Sequence, residues 1–127
     1  MRYHQVSLKA NDSTELFVRQ FAPRASERTR RTLLIVHGTS EHGGRYRHAA
    51  QEAVNRGWEV IVPDLRGHGK SRGVPVHVDD FEQYLQDLDT LFQFFELNPD
   101  RTAIMGHSFG GLISARYAET RPTRMAA

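Results

Sequence analysis

The 127-residue chain contains no cysteine. That excludes a disulfide framework and any thiolate metal or redox centre. No run approaches the roughly 18 apolar residues of a membrane span, and the opening Met1-Arg2-Tyr3-His4-Gln5-Val6-Ser7 lacks the apolar core of a secretory leader. Lysine is scarce. The 17 basic residues are almost entirely arginine, spread along the chain rather than gathered into a block, and against 15 acidic residues they leave a formal net charge of +2. No nucleic-acid-binding tail is present in that pattern. Internal repeats and low-complexity stretches are absent as well. What remains is the balance of an ordinary globular domain, 39% hydrophobic and 25% charged, of a length suited to one domain. The cytoplasm is the expected location.

Two stretches, Tyr3 to Leu8 and Glu15 to Phe21, alternate polar and apolar residues around Asn11-Asp12-Ser13, which predicts a hairpin. A polar, arginine-rich loop follows from Pro23 to Arg31. Three short aliphatic runs come next, Thr32 to Val36, Glu59 to Val62 and Thr102 to Met105, each suited to a strand buried on both faces. Helical patterns separate them. One spans Tyr46 to Asn55 and stops at Gly57. Another places Phe81, Tyr84, Leu85, Leu88, Leu91, Phe92 and Phe95 at three- to four-residue spacing, with Asp79 or Asp80 as cap and Asn98-Pro99 as terminator. A third is expected from Phe109 to about Glu119, closed by Arg121-Pro122. Hairpin followed by β-α-β-α-β-α predicts an α/β fold, a mostly parallel sheet flanked by helices and preceded by an antiparallel hairpin.

The strongest chemical signal is Gly106-His107-Ser108-Phe109-Gly110, between the strand ending at Met105 and the helix starting near Phe109. Gly-x-Ser-x-Gly alone is common by chance; a strand-to-helix junction makes it specific, because such a tight turn presents a serine hydroxyl above the sheet. Gly106 and Gly110 are small where the backbone folds back on itself. The following helix aims its free N–H groups at the place where an oxyanion would form. The bland alternative is an ordinary turn. Ser108 is therefore the candidate nucleophile, with Gly106, His107 and Gly110 shaping the elbow.

His37-Gly38-Thr39-Ser40 directly follows the strand Leu33-Leu34-Ile35-Val36. If that strand neighbours the one before Ser108, the N–H of Thr39 joins that of Phe109 as an oxyanion donor. Taken alone, the segment reads better as a strand-end turn with a buried His37 bonded to backbone; paired with the elbow, the donor reading is favoured. Asp64-Leu65-Arg66-Gly67-His68-Gly69-Lys70-Ser71 contains Gly-Lys-Ser, yet a phosphate-binding loop needs glycine where Asp64 stands. It reads as a structural loop beneath the site, with Arg66 and His68 making backbone hydrogen bonds. The seven histidines show no metal-binding spacing, and the aromatic residues between 81 and 95 read as core. No motif asks for a metal or cofactor.

Taken together, His37-Gly38-Thr39-Ser40-Glu41-His42-Gly43-Gly44-Arg45-Tyr46, Asp64 to Ser71 and Gly106-His107-Ser108-Phe109-Gly110-Gly111 resemble the N-terminal half of α/β-hydrolases of the monoacylglycerol lipase and lysophospholipase type. The resemblance covers essentially the whole chain. The first string is the most particular to that subgroup; the other two are shared by many α/β-hydrolases. It implies a serine hydrolase acting on a small-molecule ester or lipid through an acyl-enzyme, with further strands and a cap after the nucleophile helix. Relatives that open epoxides or dehalogenate carry aspartate at the nucleophile position, so Ser108 favours ester or amide chemistry.

In this fold the triad acid and histidine follow the serine in sequence. Residues 109–127 contain Glu119 and no histidine. Residues 1–127 are thus expected to form a partial hydrolase domain with little activity of its own, and the Thr102–Met105 strand to be an exposed edge open to self-association. Two readings stay open: part of a longer ester hydrolase, or a non-catalytic, partner-dependent half-domain. Thioesterase and peptidase chemistry share the same elbow.

Overall fold

The computed structural model describes residues 1–121. Pro122, expected to close the last helix, and the tail after it lie outside the described residues. Strand β1 (Arg2–Lys9) pairs antiparallel with β2 (Glu15–Ala22). Their turn is closed by the Asp12 carboxylate accepting from Thr14 N–H at 3.1 Å, with Ser13 in the left-handed region. The hairpin is one residue longer at three of its strand ends than alternation indicated. Strands β3 (Thr32–Val36), β4 (Glu59–Pro63) and β5 (Thr102–Gly106) run parallel to one another, and the sheet order is β1-β2-β4-β3-β5. β2 joins the parallel set through an antiparallel pairing with β4.

Three helices cover the sheet: α1 (Arg47–Asn55), α2 (Glu82–Phe94) and α3 (Phe109–Thr120). The period of two along each strand decides which core a side chain enters. Leu34 and Val36 of β3, Ile61 of β4 and Leu16 and Val18 of β2 join Leu85, Leu88, Ile113 and Tyr117 of α2 and α3. Ile35, Val60, Val62 and Phe21, one residue out of phase, meet Ala50 and Val54 of α1 on the other face. Burial on both faces explains the continuous aliphatic runs in β3 and β4.

Helix ends depart from expectation in two places. The turn Gly43–Tyr46 is a 3-10 turn capped by His42, so α1 proper starts at Arg47. Asp80 does serve α2, its Oδ1 accepting from Glu82 N–H at 2.9 Å, whereas Asp79 pairs with His77. α2 stops at Phe94, earlier than Asn98-Pro99 suggested, because Glu96 turns into the left-handed region; Asn98 instead caps a short turn over Pro99–Arg101.

β5 lies at one edge of the sheet and pairs only with β3 among the described residues. The full pairing from Thr32↔Thr102 to Val36↔Gly106 is what brings the C-terminal ends of β3 and β5 side by side. The loops carrying Gly38 and Ser108 therefore leave the sheet next to each other.

Candidate active site

Ser108 occupies the cap position of α3 with φ 56° and ψ −119°. A non-glycine residue held there costs about 1–3 kcal/mol, which the surrounding packing must offset. The glycines show how. A β-carbon on Gly110 would run into the Val36 carbonyl and lie 2.5 Å from that of His37; one on Gly106 would meet the backbone of Gly110 and lie 2.6 Å from Ser114 Oγ. His107 N–H donates to Val36 O at 3.1 Å, tying the elbow to β3. Gly110 N–H returns to His107 O at 2.9 Å, and Gly111 and Leu112 donate to Ser108 O. The turn leaves the Ser108 side chain exposed. Phe109 is anchored by edge-on ring contacts with Phe81 and Tyr84 at 6.0 and 5.4 Å, so the first amide of α3 is fixed from behind.

The loop after β3 lies against this elbow. A β-carbon on Gly38 would stand 3.3 Å from Ser108 Cβ and 3.2 Å from His107 O. Gly38 N–H is taken by Glu41 Oε1 at 2.6 Å. Among the described residues no protein acceptor engages the N–H of Thr39 or of Phe109, so both remain available to an incoming oxygen. Gly106, His107, Ser108, Phe109 and Gly110 form one turn, and Gly38, the residue before Thr39, packs against it.

His37 is fully buried and bonded to backbone, as the strand-end turn reading of its segment expects. Its Nε2 accepts from Leu65 N–H at 2.9 Å and its Nδ1, carrying the proton, donates to Gly38 O at 2.7 Å. Burial pushes its pKa down, and with both nitrogens engaged it supports the loop rather than exchanging protons. The loop from Asp64 to Ser71 does lie underneath. Asp64 accepts from Gly43 N–H at 2.6 Å, Arg19 at 2.8 Å and Lys70 N–H at 2.9 Å. A carboxylate thus sits where a phosphate loop would need an anion. His68 bonds Arg66 O at 3.0 Å as expected, but Arg66 itself does not bond backbone through its side chain. Its guanidinium is buried between Asp87 and Asp12, because a buried cation needs anionic partners and α2 and the hairpin turn supply them.

Nothing in the sequence singles out Glu41 beyond its place in the segment His37 to Tyr46. Its carboxylate accepts from Gly38 N–H, from Tyr46 OH at 3.0 Å and from Arg45 at 2.7 Å, and faces His107 Nδ1 at 3.4 Å. The Gly38 amide, foremost among these partners, holds its pKa down at about 2. A cleft of about 430 Å³ beside the elbow is lined by Glu41, Arg45, Tyr46, Met105, Gly106 and His107. A cavity of about 530 Å³ at the other end of the sheet, by Arg31, Trp58 and Arg101, touches none of this machinery. No acid or histidine is placed to relay a proton from Ser108 Oγ among the described residues after it; Glu119 is exposed near the far end of α3.

A serine on a strained strand-to-helix turn, beside the loop of the neighbouring strand and above a sheet covered on both faces, defines an α/β-hydrolase fold. Solved structures agree. An epoxide hydrolase mutant of Vigna radiata superimposes with a TM-score of 0.83 at 22% identity, covering 99% of this chain and 37% of that one. An esterase of Exiguobacterium antarcticum gives 0.77 at 22% identity, covering 91% and 40%. Residues 27–127 match the family described as Serine aminopeptidase, S33, and the chain belongs to that family. It is 38% identical over 96 residues to the monoacylglycerol lipase of Mycolicibacterium smegmatis, covering 73% of this chain and 34% of the relative. To the monoglyceride lipase of Rattus norvegicus it is 34% identical over 116 residues, covering 88% and 37%. The chain therefore spans about a third of the length of these lipases. No helix among the described residues is long and apolar enough to cross a membrane.

Proposed function

We propose that this chain carries the nucleophile and oxyanion donors of a serine ester hydrolase acting on monoacylglycerol or lysophospholipid-like esters. The observation that carries the reading is Ser108 at φ 56° on the cap of α3, with the Gly38 loop packed against it. The names of the lipase relatives support the substrate class, as does that of a Bacillus subtilis phospholipase that is 28% identical over 87 residues.

Ser108 Oγ attacks the ester carbonyl carbon while its proton passes to a base. The carbonyl oxygen becomes an oxyanion held by the N–H groups of Thr39 and Phe109, each such donor being worth about 10²–10³ in rate. Collapse expels the alcohol, which takes up the proton, and water then releases the fatty acid from the acyl-serine. Residues 109–127 hold no histidine, so on this reading the base comes from outside these 127 residues.

The test is fatty-acid release from a monoacylglycerol and a lysophospholipid by the protein isolated from its own cells, beside Ser108→Ala. Release that the substitution abolishes is expected. Release that survives it contradicts the reading, and none from the folded unsubstituted protein favours a non-catalytic half-domain.

A further inference from the structure

We infer that Glu41 is a positioning residue that sets the oxyanion donor: its carboxylate fixes the Gly38 loop at the correct distance from the elbow. The inference rests on the ester-hydrolase reading for its consequence in rate, though not for the geometry itself.

The loop after β3, the turn before α1 and, 66 positions further on, the elbow residue His107 meet at this one carboxylate. Oε1 takes Gly38 N–H at 2.6 Å, and Glu41 N–H answers to Gly38 O at 3.2 Å, closing a small ring around Thr39 and Ser40. Ser40 sits in the left-handed region at φ 61°, so the backbone of this ring is already bent and needs an external hold. The same Oε1 receives Tyr46 OH from the turn before α1 and faces His107 on the elbow, while Oε2 takes Arg45. Gly38 is left between the carboxylate and the elbow, its hypothetical β-carbon 2.9 Å from Glu41 Oε1 and 3.3 Å from Ser108 Cβ.

The consequence lies at the next amide. Gly38 N–H is consumed by Glu41, which leaves Thr39 N–H as the first amide after β3 without a protein acceptor among the described residues. A shift of about an ångström in such a donor removes most of its effect. The negative charge of Glu41 does not itself favour an oxyanion. Arg45, Tyr46 and Gly38 absorb it, and what the side chain contributes is length and direction.

The test compares Glu41→Gln, Glu41→Asp and Glu41→Ala with the parent chain. Glutamine keeps an oxygen at the same reach; aspartate keeps the charge and falls one methylene short. In amide hydrogen exchange and ¹H–¹⁵N spectra of the 127-residue chain, Gly38 N–H should exchange at least tenfold faster in Glu41→Asp and Glu41→Ala, with the Thr39 resonance displaced. In Glu41→Gln, which keeps the reach and loses only the charge, the Gly38 rate should rise at least threefold less than in Glu41→Asp. Unchanged Gly38 and Thr39 signals in Glu41→Asp overturn the inference, and this pair carries the test even if Glu41→Ala does not fold. On ester substrates, the protein from its own cells should lose at least 30-fold in kcat in Glu41→Asp, with KM within threefold and most of the loss rescued in Glu41→Gln. A change in KM alone, or aspartate outperforming glutamine, also overturns it. If Ser108→Ala leaves ester release intact, the hydrolase reading fails while the amide readout still decides the geometry.

Discussion

Arg66 and Asp87 form a bidentate ion pair, Nε to Oδ2 at 2.7 Å and Nη2 to Oδ1 at 2.8 Å, with 7% and 6% of their side chains exposed. Asp12, on the hairpin turn, closes the other side of the guanidinium at 2.8 Å. One arginine thus joins the loop under the site to α2 and to the N-terminal hairpin. Removing one member of such a pair strands the other without its partner. Asp87→Ala should lower the unfolding free energy by about 3–5 kcal/mol, and Asp12→Ala, whose carboxylate is part-exposed, by about 1 kcal/mol, both read from urea denaturation.

This pair marks where the sequence stopped being legible. The strands, the three helices and the elbow could be read because their signals are local: aliphatic runs of about five residues, three- to four-residue periodicity, glycine flanking a serine. Arg66 and Asp87 are 21 positions apart and Arg66 and Asp12 are 54 apart, and no local pattern links them. Glu41 was hidden for a related reason. Its partners Gly38, Arg45 and Tyr46 are close in sequence but fit no standard local motif, and its contact to the elbow, His107, arrives only through the β3–β5 pairing. The end of α2 was misjudged because a left-handed glutamate carries no propensity signal, while Asn98-Pro99 does.

The elbow glycines make opposite claims. A β-carbon on Gly110 would overlap the Val36 carbonyl, whereas the nearest atom to one on Gly111 is Gly106 O at 3.4 Å. Gly110→Ala should cost about 3 kcal/mol or more and move β3 and α3 apart. Gly111→Ala should be neutral or stabilising by up to about 1 kcal/mol, since alanine is the better helix former. Thermal melts of the two variants, measured side by side, check the pair.

Acid should loosen the site along a defined course. Glu41 is held down at about 2, first by Gly38 N–H and then by Tyr46, His107 and Arg45; Asp12 is also held well below the usual carboxylate range, first by Arg66. Carboxyls lowered in the folded state contribute stability that is complete above their unfolded values, near pH 4–5, and that disappears as pH falls toward their folded ones. The melting temperature should therefore drop steeply between about pH 4.5 and 2. Glu41→Gln, which has no such charge to lose, should melt below the parent at pH 7 and converge with it as pH approaches 2. Circular dichroism melts at half-unit pH steps give the comparison.

The free edge of β5 predicts behaviour at high concentration. Among the described residues the outer edge of Thr102–Gly106 has no strand partner and stands beside the exposed Met105, the arrangement through which sheets extend from one molecule to another. The 127-residue chain should self-associate as concentration rises, and Met105→Lys should weaken that association at least tenfold in sedimentation velocity. A concentration-independent monomer with a sharp melt contradicts this.

The central claim is that Ser108 is the reactive serine of an ester hydrolase. Its most direct test is a fluorophosphonate probe added to the native protein in a lysate of its source cells, with the modified residue located by peptide mapping. The expected result is label on Ser108, blocked by prior exposure to a monoacylglycerol analogue and absent in Ser108→Ala. Label on another serine, or none on protein shown to be folded, would contradict it.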